Sequence, residues 1–161
     1  MNSEKLLIVW HSRTGTSEAL ARAAADGAGE GCRLLHCDEV APANLLDAGG
    51  YLFACPENLA SMSGAMKEMF DRCYYPVLGQ IEGRPYATII AAGSDGEGAQ
   101  RQLDRIAKGW RLKRVTDGWI VNTSAQTPEE ILAPKTLPSS TLVKAHDLGK
   151  GMVEGIALGI F

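Results

Sequence analysis

Five short apolar runs, alternating with helical patterns, predict a doubly wound α/β fold built on a parallel sheet. The runs are nearly continuous rather than alternating in polarity, as expected of strands covered on both faces. Neither a composition shift nor an internal repeat divides the chain. Residues 1–161 therefore read as a single domain, long enough to bury roughly 68–70% of its unfolded surface.

The first strand is Lys5–His11, with a β-branched centre, led in by Met1–Glu4. The turn-rich Ser12–Ser17 follows, and then an alanine-rich helix over Glu18–Ala28 that sets Leu20, Ala24 and Ala28 on one face. Cys32–Cys37 is a second short strand, and Ala43–Asp47 at most a short helix behind Pro42. Gly50–Cys55 is the third strand, which Pro56 ends. Met62–Tyr74 is a helix with Ala65, Met66, Met69, Phe70 and Cys73 on its apolar face. Tyr86–Ala92 is the fourth strand and Gly98–Lys108 the next helix. Val115–Val121 reads as the fifth strand, with Asp117-Gly118 as its weak point. Thr123–Thr141 holds three prolines and reads as loop, with one turn around Glu129–Leu132, before a closing helix over Leu142–Leu158.

Composition narrows the function. With 16 Lys+Arg against 19 Asp+Glu the net charge is −3, which supplies no basic excess for nucleic acid. The opening apolar run is too short for a secretory signal, and no stretch is long enough to span a membrane. Cys32, Cys37, Cys55 and Cys73 show no metal spacing and read as reduced thiols, three of them within apolar patterns; a cytoplasmic location is the expectation.

Three loops leave strand ends on the edge where ligands bind in such folds. Ser12-Arg13-Thr14-Gly15-Thr16-Ser17 places hydroxyls around a glycine at a helix N-terminus, where backbone N–H groups and the helix dipole favour a phosphate. It lacks the Gly-Lys-Ser/Thr of a Walker loop and is no GxGxxG, so a single terminal phosphate suits it. The same residues also cap helices well, and the hexapeptide alone does not choose between the two. Pro56-Glu57-Asn58-Leu59-Ala60-Ser61-Met62-Ser63-Gly64 reads either as a loop lying along the polar edge of a flat ring or as an ordinary connection with Met62 in the core. Gly93-Ser94-Asp95-Gly96-Glu97-Gly98, with three glycines, allows close backbone approach to a ligand or is a flexible surface loop. Their shared edge favours one common site.

On these motifs the sequence resembles the flavodoxin-like superfamily of FMN proteins over essentially its whole length. The hexapeptide is similar to that family's phosphate loop. Pro56, Met62, Ser63, Gly64, Met66 and Lys67 match the ring loop of NAD(P)H:quinone oxidoreductases related to tryptophan-repressor-binding protein. The resemblance implies a three-layer sandwich with a five-stranded parallel sheet of order 2-1-3-4-5 and FMN as cofactor. It implies that Ser12, Thr14, Gly15, Thr16 and Ser17 hold the phosphate, with Arg13 helping to neutralise it. Pro56, Glu57, Asn58, Leu59, Ala60, Ser61 and Met62 would border the isoalloxazine, with Gly93, Ser94, Asp95 and Gly96 on its other side. Glu57–Ser61 depart from the relatives' Thr-Arg-Phe-Gly-Asn, and the third loop lacks their histidine, so nicotinamide and quinone contacts do not carry over.

Two functions follow from the resemblance: an oxidoreductase passing electrons from NAD(P)H through FMN to a small acceptor such as a quinone or free flavin, or a flavodoxin-type carrier that docks to redox proteins. The ring loops hold no aromatic and the charge is modest, which favours the enzyme. Trp110, Trp119, Tyr74 and Tyr75 are the aromatics left to cover the ring, and relatives of this kind are often oligomers. The expected acidic cluster of a receiver domain and the Cys-x5-Arg of a phosphatase are missing after the first strand. His11 reads as a hydrogen-bonded structural histidine, Cys55 as core, and His36 and His146 as no metal site. Gly151, Gly155 and Gly159, four residues apart on the closing helix, read as packing against the sheet or as a contact between copies.

Overall fold

A computed structural model of the chain describes residues 5–161; Met1–Glu4, read above as the lead-in to the first strand, lie outside the described residues. The parallel strands β1 (Leu6–Trp10), β2 (Cys32–His36) and β3 (Gly50–Asn58) pair in the order β2-β1-β3. A short β4 (Ser61–Met62) folds back antiparallel on the end of β3, and β5 (Pro85–Ala92) continues the parallel sheet on the far side of β3. The last position is shared by β6 (Lys113–Arg114) and β7 (Trp119–Asn122), which pair with the beginning and the end of β5. The order 2-1-3-4-5 therefore holds, with the fifth strand in two pieces. Asp117-Gly118 falls in the break, where the buried side chain of Gln100 occupies the space a Cβ on Gly118 would need, 2.3 Å away.

Successive side chains of a strand point to opposite faces, and both faces are apolar. Leu7, Val9, Tyr51, Phe53 and Ile90 pack with helices α3 (Gly64–Val77) and α4 (Glu97–Gly109), while α2 (Pro42–Asp47) lies beside α3. Leu6, Ile8, Leu52, Ala54 and Ile89 pack with α1 (Thr16–Ala28) and α6 (Ser139–Leu158). The single turn foreseen in the proline-rich segment is α5 (Pro128–Leu132), capped by the Thr127 hydroxyl, which accepts from Glu130 N–H at 3.2 Å. Met66, Met69, Phe70 and Cys73 are buried on the predicted face of α3.

Helices α1 and α6 approach closely enough to require glycine at two positions. A Cβ on Gly27 would lie 1.9 Å from the His146 carbonyl oxygen, and one on Gly149 would lie 1.9 Å from that of Ala24. The periodic Gly151, Gly155 and Gly159 do other things: Gly151 faces open space, Gly155 receives the Phe161 ring, and Gly159 ends α6 in the left-handed conformation. All four cysteines are free, with Cys37, Cys55 and Cys73 buried.

Candidate functional site

A cavity of about 370 Å³ opens beyond the carboxyl ends of β1, β3 and β5, where α/β sheets of this kind bind ligands. One end is formed by Ser12, Arg13, Thr14, Thr16 and Ser17. Gly15 turns the chain into α1 with φ +103°, a value that disfavours side-chain-bearing residues, and its N–H donates to Ser12 Oγ at 2.9 Å. Helix α1 has no side-chain cap, so the capping alternative does not employ these hydroxyls. Thr16 Oγ1 and Ser17 Oγ are buried and have no hydrogen-bond partner among the described residues. Such orphans are costly in a folded chain, about 1–3 kcal/mol each, unless something else binds there. Two hydroxyls beside unpaired first-turn N–H groups form the donor set a phosphate monoester requires.

The second wall is a hairpin rather than a loop. Pro56 does not end β3: the strand runs to Asn58, with Pro56 the last residue in register with β5, and the Pro56 carbonyl still accepts from Ser63 N–H at 3.1 Å. The turn is made by Leu59 and Ala60, both with positive φ (53° and 62°). Hairpin turns of this kind usually take Asn or Gly there, so the pair is strained, and Leu59 stands fully exposed at the tip. Pro56, Glu57, Asn58, Leu59 and Ala60 line the cavity. Ser61 and Met62 do not: the Ser61 hydroxyl and the Met62 N–H both donate to Gln102 Oε1 of α4, at 2.8 and 2.7 Å, and the Met62 side chain lies in the core.

Glu57 points the same way. Its carboxylate accepts from Gly96 N–H at 2.8 Å and from Ala99 N–H at 3.0 Å, capping α4 from the neighbouring hairpin. Gly98 permits the approach, since a Cβ there would lie 2.2 Å from the Ala60 carbonyl oxygen. Gly93 and Ser94 continue the cavity wall from the end of β5, whereas Asp95 and Gly96 turn away into α4. Gly93 is itself confined: a Cβ would meet the Ala125 carbonyl oxygen at 2.5 Å.

Thr123, Ala125, Ile131 and Lys135 complete the wall, and none was picked out in the sequence. They come from the proline-rich segment after β7, whose composition says loop but not which strand end it folds over. No aromatic side chain among the described residues lines the cavity. Trp110 is buried between α3 and α4, Tyr74 and Tyr75 sit on α3, and the Trp119 ring lies under the Lys144 ammonium at 4.4 Å.

His11 and Cys55 stand near the site without entering it. His11 Nδ1 is hydrogen-bonded with Ser63 Oγ at 2.8 Å, and its ring meets that of His36 edge-on. Burial first, and then the neighbouring His36, hold the His11 pKa below its ordinary value, against the opposing charge of Asp38. Burial pushes the Cys55 thiol up to about 12, which makes it inert. His36, Cys37 and Asp38 bring potential metal donors within 4.8 Å of one another. The His36 ring nitrogen accepts from Asp38 N–H, however, and is part of a local helix cap.

A parallel 2-1-3-4-5 sheet with a phosphate-type cradle after β1 defines a flavodoxin-like protein. A family model described as NADPH-dependent FMN reductase matches residues 40–126. The chain belongs to that family, within the flavodoxin-like FMN-binding superfamily, and its cofactor is FMN. It is 32% identical over 98 residues to a flavodoxin of Aquifex aeolicus, a match that covers 58% of this chain and about half, 53%, of that protein. Among solved structures, it superposes with a TM-score of 0.78 on a flavodoxin from the domain Archaea, at 15% identity, covering 95% of this chain and 99% of that one. A WrbA-like flavodoxin from Agrobacterium tumefaciens gives a TM-score of 0.78 at 17% identity, covering 96% and 98%. At such identities the structural likeness is one of fold. Among the described residues, no helix is long and apolar enough to cross a membrane.

Proposed function

We propose that the cavity is the FMN site and that the protein is an oxidoreductase, taking hydride from NAD(P)H and passing electrons to a small acceptor. The observation that carries the site is the pair of buried, unpartnered hydroxyls on Thr16 and Ser17 at the open N-terminus of α1. With Ser12, Thr14 and the turn at Gly15 they hold the phosphate, and Arg13 stands on the rim. The hairpin residues Pro56–Ala60, with Gly93 and Ser94, border the ring. The flavin, when bound, supplies the redox chemistry; the chain supplies binding, orientation and the electrostatic surroundings.

The enzyme is favoured over a carrier by the aromatic-free wall. Hydride transfer needs donor and acceptor rings in van der Waals contact, and a wall of proline, alanine, glycine and an exposed leucine leaves room for a second ring. In this reading the backbone of the hairpin and of Gly93–Ser94, which line the cavity, serves the polar edge of the ring. Leu59, exposed at the hairpin tip, gives a nicotinamide or an acceptor an apolar surface at the mouth.

Anaerobic titration of the FMN-reconstituted protein with NADPH, followed by visible absorbance, tests the reading. Bleaching within the mixing time is the expected outcome. Persistent yellow colour in a protein whose flavin is reduced by dithionite overturns the reductase and supports the carrier.

A further inference from the structure

We propose that Lys135 is the charge partner of the flavin phosphate and sets the preference of this protein for FMN over riboflavin. The assignment rests on the flavin site proposed above and adds to it a residue from a distant part of the chain.

Within 126–138, Lys135 and Leu137 are partly buried, and the remainder of the segment is exposed. The Lys135 side chain is turned inward to the cavity wall, where its ammonium donates to Thr14 Oγ1 at 3.3 Å, across 121 residues of sequence. It donates also to the Ile131 carbonyl at the end of α5. An ammonium has three N–H donors, so these two bonds leave one to spare. Among the described residues Lys135 forms no ion pair, so no carboxylate neutralises it.

The surroundings make this cation consequential. Thr14, to which it is tethered, belongs to the same loop as the unpartnered Thr16 and Ser17 hydroxyls. Neutral donors and a helix N-terminus solvate an anion only partly, and a phosphate monoester brings close to two negative charges at neutral pH. A half-buried ammonium is screened by water less than the exposed Arg13 on the rim. Held by a carbonyl and a hydroxyl, its position is set before the ligand arrives, so little side-chain freedom is lost on binding. Riboflavin has the same ring and ribityl chain but no phosphate, and should not respond to the charge.

The test measures dissociation constants for FMN and for riboflavin by quenching of flavin fluorescence. It uses the wild-type protein, Lys135→Met, Lys135→Gln and Lys135→Arg, at low and high salt, with thermal unfolding of each apoprotein as a check on folding. Both neutral variants should weaken FMN about tenfold, in line with one charge-assisted hydrogen bond, while riboflavin changes less than about twofold. The salt dependence of FMN binding should flatten in the neutral variants, and Lys135→Arg should recover most of the FMN affinity. Unchanged FMN binding in both neutral variants would overturn the assignment. So would equal weakening of FMN and riboflavin, which would make Lys135 a structural tie for α5. A wild-type protein that binds neither flavin would remove the underlying site itself.

Discussion

Helices α1 and α4 begin in the same way and end up doing opposite things. Each follows a parallel strand, and each is entered through a left-handed glycine, Gly15 at φ +103° and Gly96 at φ +95°, which has no side chain to cap it; at α4 the Asp95 carboxylate of the loop accepts from Glu97 N–H at 3.3 Å. At α4 the positive end of the helix is closed by the Glu57 carboxylate, bound to two backbone N–H groups. At α1 no carboxylate among the described residues is bonded at the corresponding place, and the buried Thr16 and Ser17 hydroxyls beside it have no partner there. Two helix termini of the same construction therefore differ in whether the protein supplies its own anion. Where it does, the terminus is scaffold; where it does not, the terminus is the proposed phosphate site.

The largest effects should come from disturbing the open terminus. Gly15→Val forces a β-branched residue into a conformation that costs about 1–3 kcal/mol and displaces the N–H groups around the phosphate, so FMN binding should fall by more than about a hundredfold. Thr16→Val is the sharper experiment. It removes an unpartnered buried hydroxyl, so the apoprotein should become more stable by about 1 kcal/mol, while FMN affinity falls about tenfold. Opposite signs of the two effects identify a group kept for a ligand. A loss of stability in the apoprotein would show that the hydroxyl has a partner within the fold. Cys55→Ala, in the core beneath the sheet end, is the control and should leave FMN affinity within about twofold.

The closed terminus should respond the other way. Glu57→Gln or Glu57→Ala removes a charged acceptor from two N–H groups, and should destabilise the protein by about 2 kcal/mol. For a chain of this size that lowers the melting temperature by roughly 4–8 °C. FMN should stabilise the variant as it does the wild type, because the carboxylate serves α4. A variant of wild-type stability that has lost FMN would transfer Glu57 to the ligand.

These assignments also mark where the sequence stopped being informative. The first, second and fourth strands, the glycine turn into α1 and the buried face of α3 were legible because hydrophobic period and local composition determine them. The hairpin was hidden because its tip is Asn58-Leu59-Ala60-Ser61, with none of the Gly or Asn-Gly signals that such turns carry, and Pro56 reads as a stop. The cap from Glu57 to α4 spans 39 residues and the tie from Lys135 to Thr14 spans 121, and neither has a local signature. The glycine spacing on α6 pointed to Gly151, Gly155 and Gly159, whereas the helix crossing is made by Gly27 against His146 and by Gly149 against Ala24. Contact across the fold, invisible to periodicity, decided each of these.

A third helix start extends the comparison and gives the smallest effect. Helix α3 is entered through Ser63, whose hydroxyl makes no capping bond and is hydrogen-bonded with His11 instead. The His11–Ser63 pair thus lies beside this terminus, and a protonated imidazole there would set one positive end against another. Burial and the neighbouring His36 already hold the His11 pKa below 6.5, its ordinary value. In the interval below that value the unfolded chain binds more protons at this ring than the folded one, so stability rises with pH. The contribution is complete above about 6.5 and is lost as the pH falls toward the depressed folded value. Denaturant unfolding of the wild type and of His11→Asn, each at pH 7.5 and 5.5, isolates it from the carboxylates common to both. The wild type should lose more stability between the two pH values than the variant; equal losses would show that protonation of His11 beside the third terminus does not weigh on stability.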